Sequence, residues 1–190
     1  MYLRKILFSF SILYSALLWA QDDNILIIKF QVQNRDNAGL AGAQVQVLQN
    51  GRNFSTTTSD PSGNVQLKLP LNNDYSIIIT KPGNITKKFN VSTRGTTIQE
   101  EKKNIYQFEI DAIRIYEPFE NVDYSILNQP LFNVTYNPKT NKFDVDKASI
   151  DAIQQQLSEL FRAETEVEKR KKESEKKYRA AIKKADDAYN

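Results

Sequence analysis

Three carboxylates, Asp144, Asp146 and Asp151, lie close enough in sequence to suggest oxygen ligands for a divalent cation such as calcium. The stretch lacks the glycine and the distal glutamate of an EF-hand loop, so a second account is preferred. Asp146 stands where a helix should begin, and its side chain would accept the free N–H groups of the first turn. Four rings, Tyr116, Phe119, Tyr124 and Phe132, form the other candidate constellation. Grouped on the surface they would stack on a glycan or a peptide; packed inward they would close the end of a β domain, the preferred reading.

Other chemistry is limited by what the chain omits. It contains 0 Cys and 0 His. That removes disulfides, a thiol nucleophile, cysteine-ligated zinc and a lipid-modified N-terminal cysteine, together with the commonest general base and metal ligand. An enzyme built from this chain would have to work with carboxylates, Lys or Tyr, and no two acids are placed to converge. The expectation is therefore a non-enzymatic protein with no cofactor and no metal. The formal net charge of +3 is mild, and nucleic acid is not expected as a partner.

The elements that must position these residues differ along the chain. Residues 1–20 carry Arg4 and Lys5, an apolar run from Ile6 to Trp19, and Ala20 before polar Gln21. This is the layout of a secretory signal peptide, with cleavage expected after Ala20 and no membrane span left afterwards. Four Asn-X-Ser/Thr sequons follow, at Asn53, Asn84, Asn90 and Asn133, a pattern that strand-rich Asn/Ser/Thr sequences generate by chance.

Between residues 25 and 113 apolar and polar residues alternate in short runs. Leu26, Ile28, Phe30 and Val32 share one face; so do Val45 and Val47; Val65, Leu67 and Leu69; Tyr75, Ile77 and Ile79; Phe89 and Val91; and Tyr106, Phe108 and Ile110. Asn50-Gly51 suits a type I′ hairpin, and Asp60-Pro61-Ser62-Gly63 suits a type I turn. With a Thr-rich run from Phe54 to Thr58, about seven strands result, enough for two packed sheets.

The segments Gly39-Leu40-Ala41-Gly42-Ala43-Gln44-Val45, Thr58-Ser59-Asp60-Pro61-Ser62-Gly63-Asn64-Val65, Tyr75-Ser76-Ile77 and Lys81-Pro82-Gly83 resemble the carboxypeptidase regulatory-like domain. This is a transthyretin-like (prealbumin-like) β-sandwich found in exported Bacteroidota-type proteins. Where the family usually has Gly after its first strand, this chain reads Gln33-Asn34-Arg35-Asp36. The resemblance implies an accessory module for folding, spacing or partner contact, without a catalytic centre.

Residues 114–146 form a connector. Phe132, Val134 and Tyr136 alternate, turn residues run from Asn137 to Asn141, and Phe143 and Val145 follow, so a short β-hairpin at the sandwich edge is expected. From Lys147 onwards there is no Gly and no Pro, and helix formers dominate. Apolar residues recur every seven positions: Ile150, Leu157, Tyr178 and Ala185 in one set; Ile153, Leu160, Val167, Ala181 and Ala188 in the other. This is the seam of a coiled coil or helical hairpin. Glu164, Lys171 and Ser174 break it, and pairs such as Glu166 with Arg170 and Glu168 with Lys172 suit a solvated helix.

The expected organisation is a signal peptide (1–20), a β-sandwich (21–113), a hairpin connector (114–146) and a long charged helix (147–190), α+β by content. Ile150, Ile153, Leu157, Leu160 and Val167 are the expected interaction residues, through a protein partner in the cell envelope or helix-mediated self-association. The functional expectation is a periplasmic accessory or scaffold protein whose helical rod contacts an outer-membrane assembly of the cell envelope. A glycan- or peptide-binding module using the connector aromatics is the alternative.

Overall fold

In the computed structural model, strand β1 (Asn24–Gln33) buries Leu26, Ile28, Phe30 and Val32 and leaves Lys29 in solvent, as the period-2 pattern demands. The model describes residues 24–99 and 102–189; the expected signal peptide lies outside the described residues. Strands β2 (Gln44–Gln49), β3 (Arg52–Thr58), β4 (Asn64–Pro70), β5 (Asp74–Thr80), β6 (Lys87–Ser92) and β7 (Asn104–Arg114) follow. They form two facing sheets, with β1 between β4 and β7 in the smaller one. The core fills the space between: the β1 row meets Val45, Val47, Ile77, Ile79, Phe89 and Val91 from the other sheet.

The turns behave as their residues require. Asn50 and Gly51 have φ of 49° and 79°, the left-handed pair of a type I′ hairpin. At the Asp60 turn the Gly63 amide donates to the Asp60 carbonyl at 2.9 Å, and the Asp60 carboxylate accepts from the amides of Ser62 and Asn64. Ser59, buried beneath this corner, donates to the Leu40 carbonyl and accepts from the Ala43 amide, tying the Gly-Ala corner to the turn.

β7 carries a feature that alternation alone does not disclose. It runs parallel to β1, and its register passes from Phe30↔Ile110 to Gln31↔Ala112, leaving Asp111 as one extra residue. Before this bulge the even positions Asn104, Tyr106, Phe108 and Ile110 face inward; after it Ile113 and Ile115 do. A single inserted residue reverses which side chains meet the core.

The connector hairpin, β8 (Asn133–Asn137) and β9 (Lys142–Val145), extends the larger sheet rather than standing beside it. β8 pairs in parallel with β6, giving the order β3-β2-β5-β6-β8-β9. Phe132 stacks on core Phe89 with ring centroids 5.0 Å apart. Helix α1 (Lys147–Tyr189) starts directly after β9. Asp146 caps it: its carboxylate accepts from the Ala148 amide at 3.1 Å, the role preferred above over calcium ligation. Ser149 Oγ accepts from the Asn133 amide at 3.0 Å and fixes the first turn of the helix to β8.

Candidate functional site

The first half of α1 lies against the sandwich. Ile153 and Leu160 are buried, Leu160 within the main core, and Leu157 is half-buried against it. Ile150 remains 39% exposed and Val167 is half-buried. The five expected interaction residues thus line one stripe, and the head of the same chain takes up its proximal part. The apolar stretch from Ile150 to Phe161 required a partner, and much of that partner is intramolecular.

The seam residue that interrupts the apolar repeat proves to be the anchor. Glu164 continues the Ile150–Leu157 row by one further heptad and is only 7% exposed. Its two carboxylate oxygens accept hydrogen bonds from Tyr116 Oη at 3.0 Å and Tyr124 Oη at 2.8 Å. The Tyr124 hydroxyl in turn accepts from the Phe119 amide at 3.0 Å. Arg35, in the loop after β1, places its guanidinium 4.1 Å from the Tyr116 ring centre and 3.8 Å from that of Phe119. The same guanidinium donates to the Glu117 carbonyl at 2.9 Å. Burial, followed by the bond to Glu164, drives the Tyr116 phenol well above its ordinary range; burial also raises Tyr124. Both phenols therefore stay protonated donors across the physiological range.

Three of the four rings singled out from the sequence meet around this carboxylate, and Phe132 sits on the core beside them. Tyr116 is buried, and Phe119, Tyr124 and Phe132 are half-buried. They close the end of the sandwich and grip the helix, the inward arrangement preferred above. Glu164, Arg35 and Lys87 were not among the candidate residues. The one available signal was a carboxylate at a seam position, legible only as a gap.

A cleft of about 430 Å³ opens beside the anchor between Arg35, Lys87, Arg114, Tyr116, Phe132 and Phe161. It shares the walls Lys87, Tyr116, Leu131, Phe132 and Phe161 with an apolar recess of about 220 Å³ that reaches Leu127, Leu157 and Leu160. Burial lowers Lys87 to about 8; Glu164 opposes that shift and Arg114 adds to it. The Lys87 ammonium lies 5.6 Å from the Tyr116 ring centre and makes no hydrogen bond or ion pair among the described residues. Arg114 donates to Asn37 Oδ1 at 3.0 Å.

Beyond Val167 the helix leaves the head, and residues 169–189 are exposed throughout. Ion pairs Glu166–Arg170 and Glu168–Lys172 form there at i,i+4, at 3.0 and 2.7 Å. Tyr178 of the distal seam and Ile182 beside it are 69% and 45% exposed. Among the described residues, no group of three or more acidic side chains is placed to hold a metal ion, and no helix is long and apolar enough to cross a membrane.

No protein-family model matches this chain, and no curated protein matches it in sequence. Solved structures share part of the sandwich. The 3-chlorocatechol 1,2-dioxygenase of Rhodococcus opacus 1CP is 13% identical over 50% of this chain and 60% of its own, with a TM-score of 0.34. The shaft pilin SpaA of Lactobacillus rhamnosus GG is 13% identical over 50% of this chain and 48% of its own, with a TM-score of 0.35. A C-terminal fragment of the pilus adhesin SpaC from the same bacterium is 21% identical over 53% and 48%, with a TM-score of 0.34. This chain thus spans less than two thirds of each, and so partial an overlap of strands carries no argument about activity.

Proposed function

We propose that this protein is a non-enzymatic accessory or scaffold protein of the bacterial cell envelope, in which a carboxypeptidase-regulatory-like sandwich head holds a projecting helical arm. The observation that carries this reading is the anchor at Glu164. Two tyrosine hydroxyls on one buried carboxylate fix both the position and the rotation of the helix, because a turn of about 100° would carry Glu164 away from both. From that point α1 continues to Tyr189, roughly 40 Å at about 1.5 Å per residue. A helix clamped at its base and solvated along its outer half supports a role in spacing or contact.

The residue order at the start of the sequence supports the location. The basic, apolar and small-residue order of residues 1–20 is that of a cleaved leader, and N-terminal sequencing of the mature protein should begin at Gln21. The partner surface is tested by placing a photo-crosslinking residue at Tyr178 on the arm or at Ile105, an exposed position on β7, in the exporting cell. A discrete adduct from Tyr178 and none from Ile105 is expected. Recovery of uncrosslinked monomer from both positions overturns the reading. Binding of glycan or peptide by the connector aromatics is the weaker account, since Tyr116, Phe119 and Tyr124 are engaged by Glu164 and Arg35.

A further inference from the structure

We infer that the cleft between the head and the base of the helix is a binding site for a small amphipathic anion, an acidic headgroup borne on a short aliphatic chain. Two observations on separate walls point to the same ligand. One wall is cationic: Arg35, Lys87 and Arg114 border a space of about 430 Å³, within the roughly 300–1,000 Å³ typical of small-molecule sites. Glu164 is the one acidic residue lining it, and both of its oxygens are already bonded to the hydroxyls of Tyr116 and Tyr124. Lys87 is half-buried there and has no acceptor among the described residues. Glu164 offsets only part of this charge, since three cations face one carboxylate across the lining, and an anion entering the cleft would offset the excess.

The other wall is apolar. The recess of about 220 Å³ behind Lys87 is bounded by Leu127, Leu131, Ile150, Leu157, Leu160 and Phe161. It exceeds the roughly 150 Å³ that suffices to enclose a benzene ring. Lys87, at the junction of the two spaces, would meet the head of the ligand while the chain fills the recess. A bare inorganic anion would leave the recess empty, and a neutral alkane would leave Lys87 unpaired. Both features are answered by one molecule only when charge and chain are joined. The groups facing Lys87 come from every element around it: Arg35 after β1, Arg114 on β7, Tyr116 beyond it, and Glu164 on α1.

The test is calorimetric titration of the mature protein with octanoate, acetate and octanol. Octanoate should bind at least roughly tenfold more tightly than either control, since it alone offers both groups. Lys87→Gln should weaken octanoate roughly tenfold and leave octanol unchanged, and Leu127→Trp should abolish binding by filling the recess. Circular dichroism of each variant establishes that it is folded. Absence of signal from both octanoate and octyl phosphate at millimolar concentration overturns the proposal, and that measurement requires no variant. Equal octanoate affinity in folded Lys87→Gln overturns it as well. Octyl phosphate titrated beside octanoate separates the two headgroups, and failure of both to bind better than octanol overturns the proposal.

Discussion

Glu164 shows how a polar residue in an apolar row changes meaning once its neighbours are known. Buried among leucines it would destabilise the docked helix; bonded to two phenols it orients the helix instead. Removing it should leave the Tyr116 hydroxyl without an acceptor in a site that water barely reaches. Glu164→Ala is expected to cost about 1–3 kcal/mol and to raise amide exchange across residues 150–164 while the sandwich strands keep their protection. Equal exchange in the variant and the parent would show that the hydroxyls do not hold the helix. Lys87 makes the opposite contribution. Its folded value of about 8 lies below the 10.5 of a free lysine, so between those values the unfolded chain holds a proton that the folded chain has released. Stability should therefore rise with pH across that window, and below pH 8 the cost of the buried ammonium is fully present. Lys87→Met should stabilise the protein by about 1–3 kcal/mol at pH 7, an advantage that shrinks as pH approaches 9.5. Denaturant melts at the two pH values measure it, and an advantage that grows with pH would contradict the burial argument.

At the scale of elements, tight turns and the bulge decide which faces meet. Gly63 has φ of 82°, and a Cβ there would lie 2.2 Å from the Val32 carbonyl oxygen, where β1 passes beneath the Asp60 turn. Gly83 has a similar φ of 79° but open space around it. Gly63→Ala should thus cost well over the roughly 1 kcal/mol expected for Gly83→Ala, since backbone strain is common to both and the clash belongs to one. Chemical denaturation of the pair decides, and equal costs would mean that the corner yields. The Asp111 bulge acts through the same logic of close packing. By switching the inward parity of β7 it brings Ile113 and Ile115 into the core and leads the chain into Tyr116, on which the helix anchor depends.

The whole molecule divides its helix into a part that stabilises the head and a part that does not. Leu157 and Leu160 bury apolar surface against the sandwich and Ile153 is buried beside them on the helix, and each fully buried aliphatic side chain is worth about 1.5–3 kcal/mol. A chain ending at Val167 should melt within about 2 °C of the full protein. One ending at Asp146 should still fold, because the strands supply their own core, yet melt more than about 10 °C lower. Thermal melts of both truncations check this; an unchanged midpoint for the shorter chain would show that the docked half adds nothing. The exposed outer half is a single helix held by i,i+4 pairs and a strong propensity, which gives it reach without burial.

Much of this was readable from the chain alone. Alternation in Leu26–Val32, Val65–Leu69 and Tyr75–Ile79, the turns at Asn50-Gly51 and Asp60–Gly63, and the Asp146 cap are near-neighbour effects, governed by residues within a few positions of one another. They determined the sandwich, the hairpin and the helix. The parallel placement of β7 beside β1 and of β8 beside β6, and the partners of Glu164, were decided only by the tertiary structure. Tyr116 and Tyr124 precede Glu164 by 48 and 40 residues, and local periodicity carries no information across such a span. A glutamate in an apolar row reads as a defect until folding brings to it, from distant segments, the two hydroxyls that make its burial favourable.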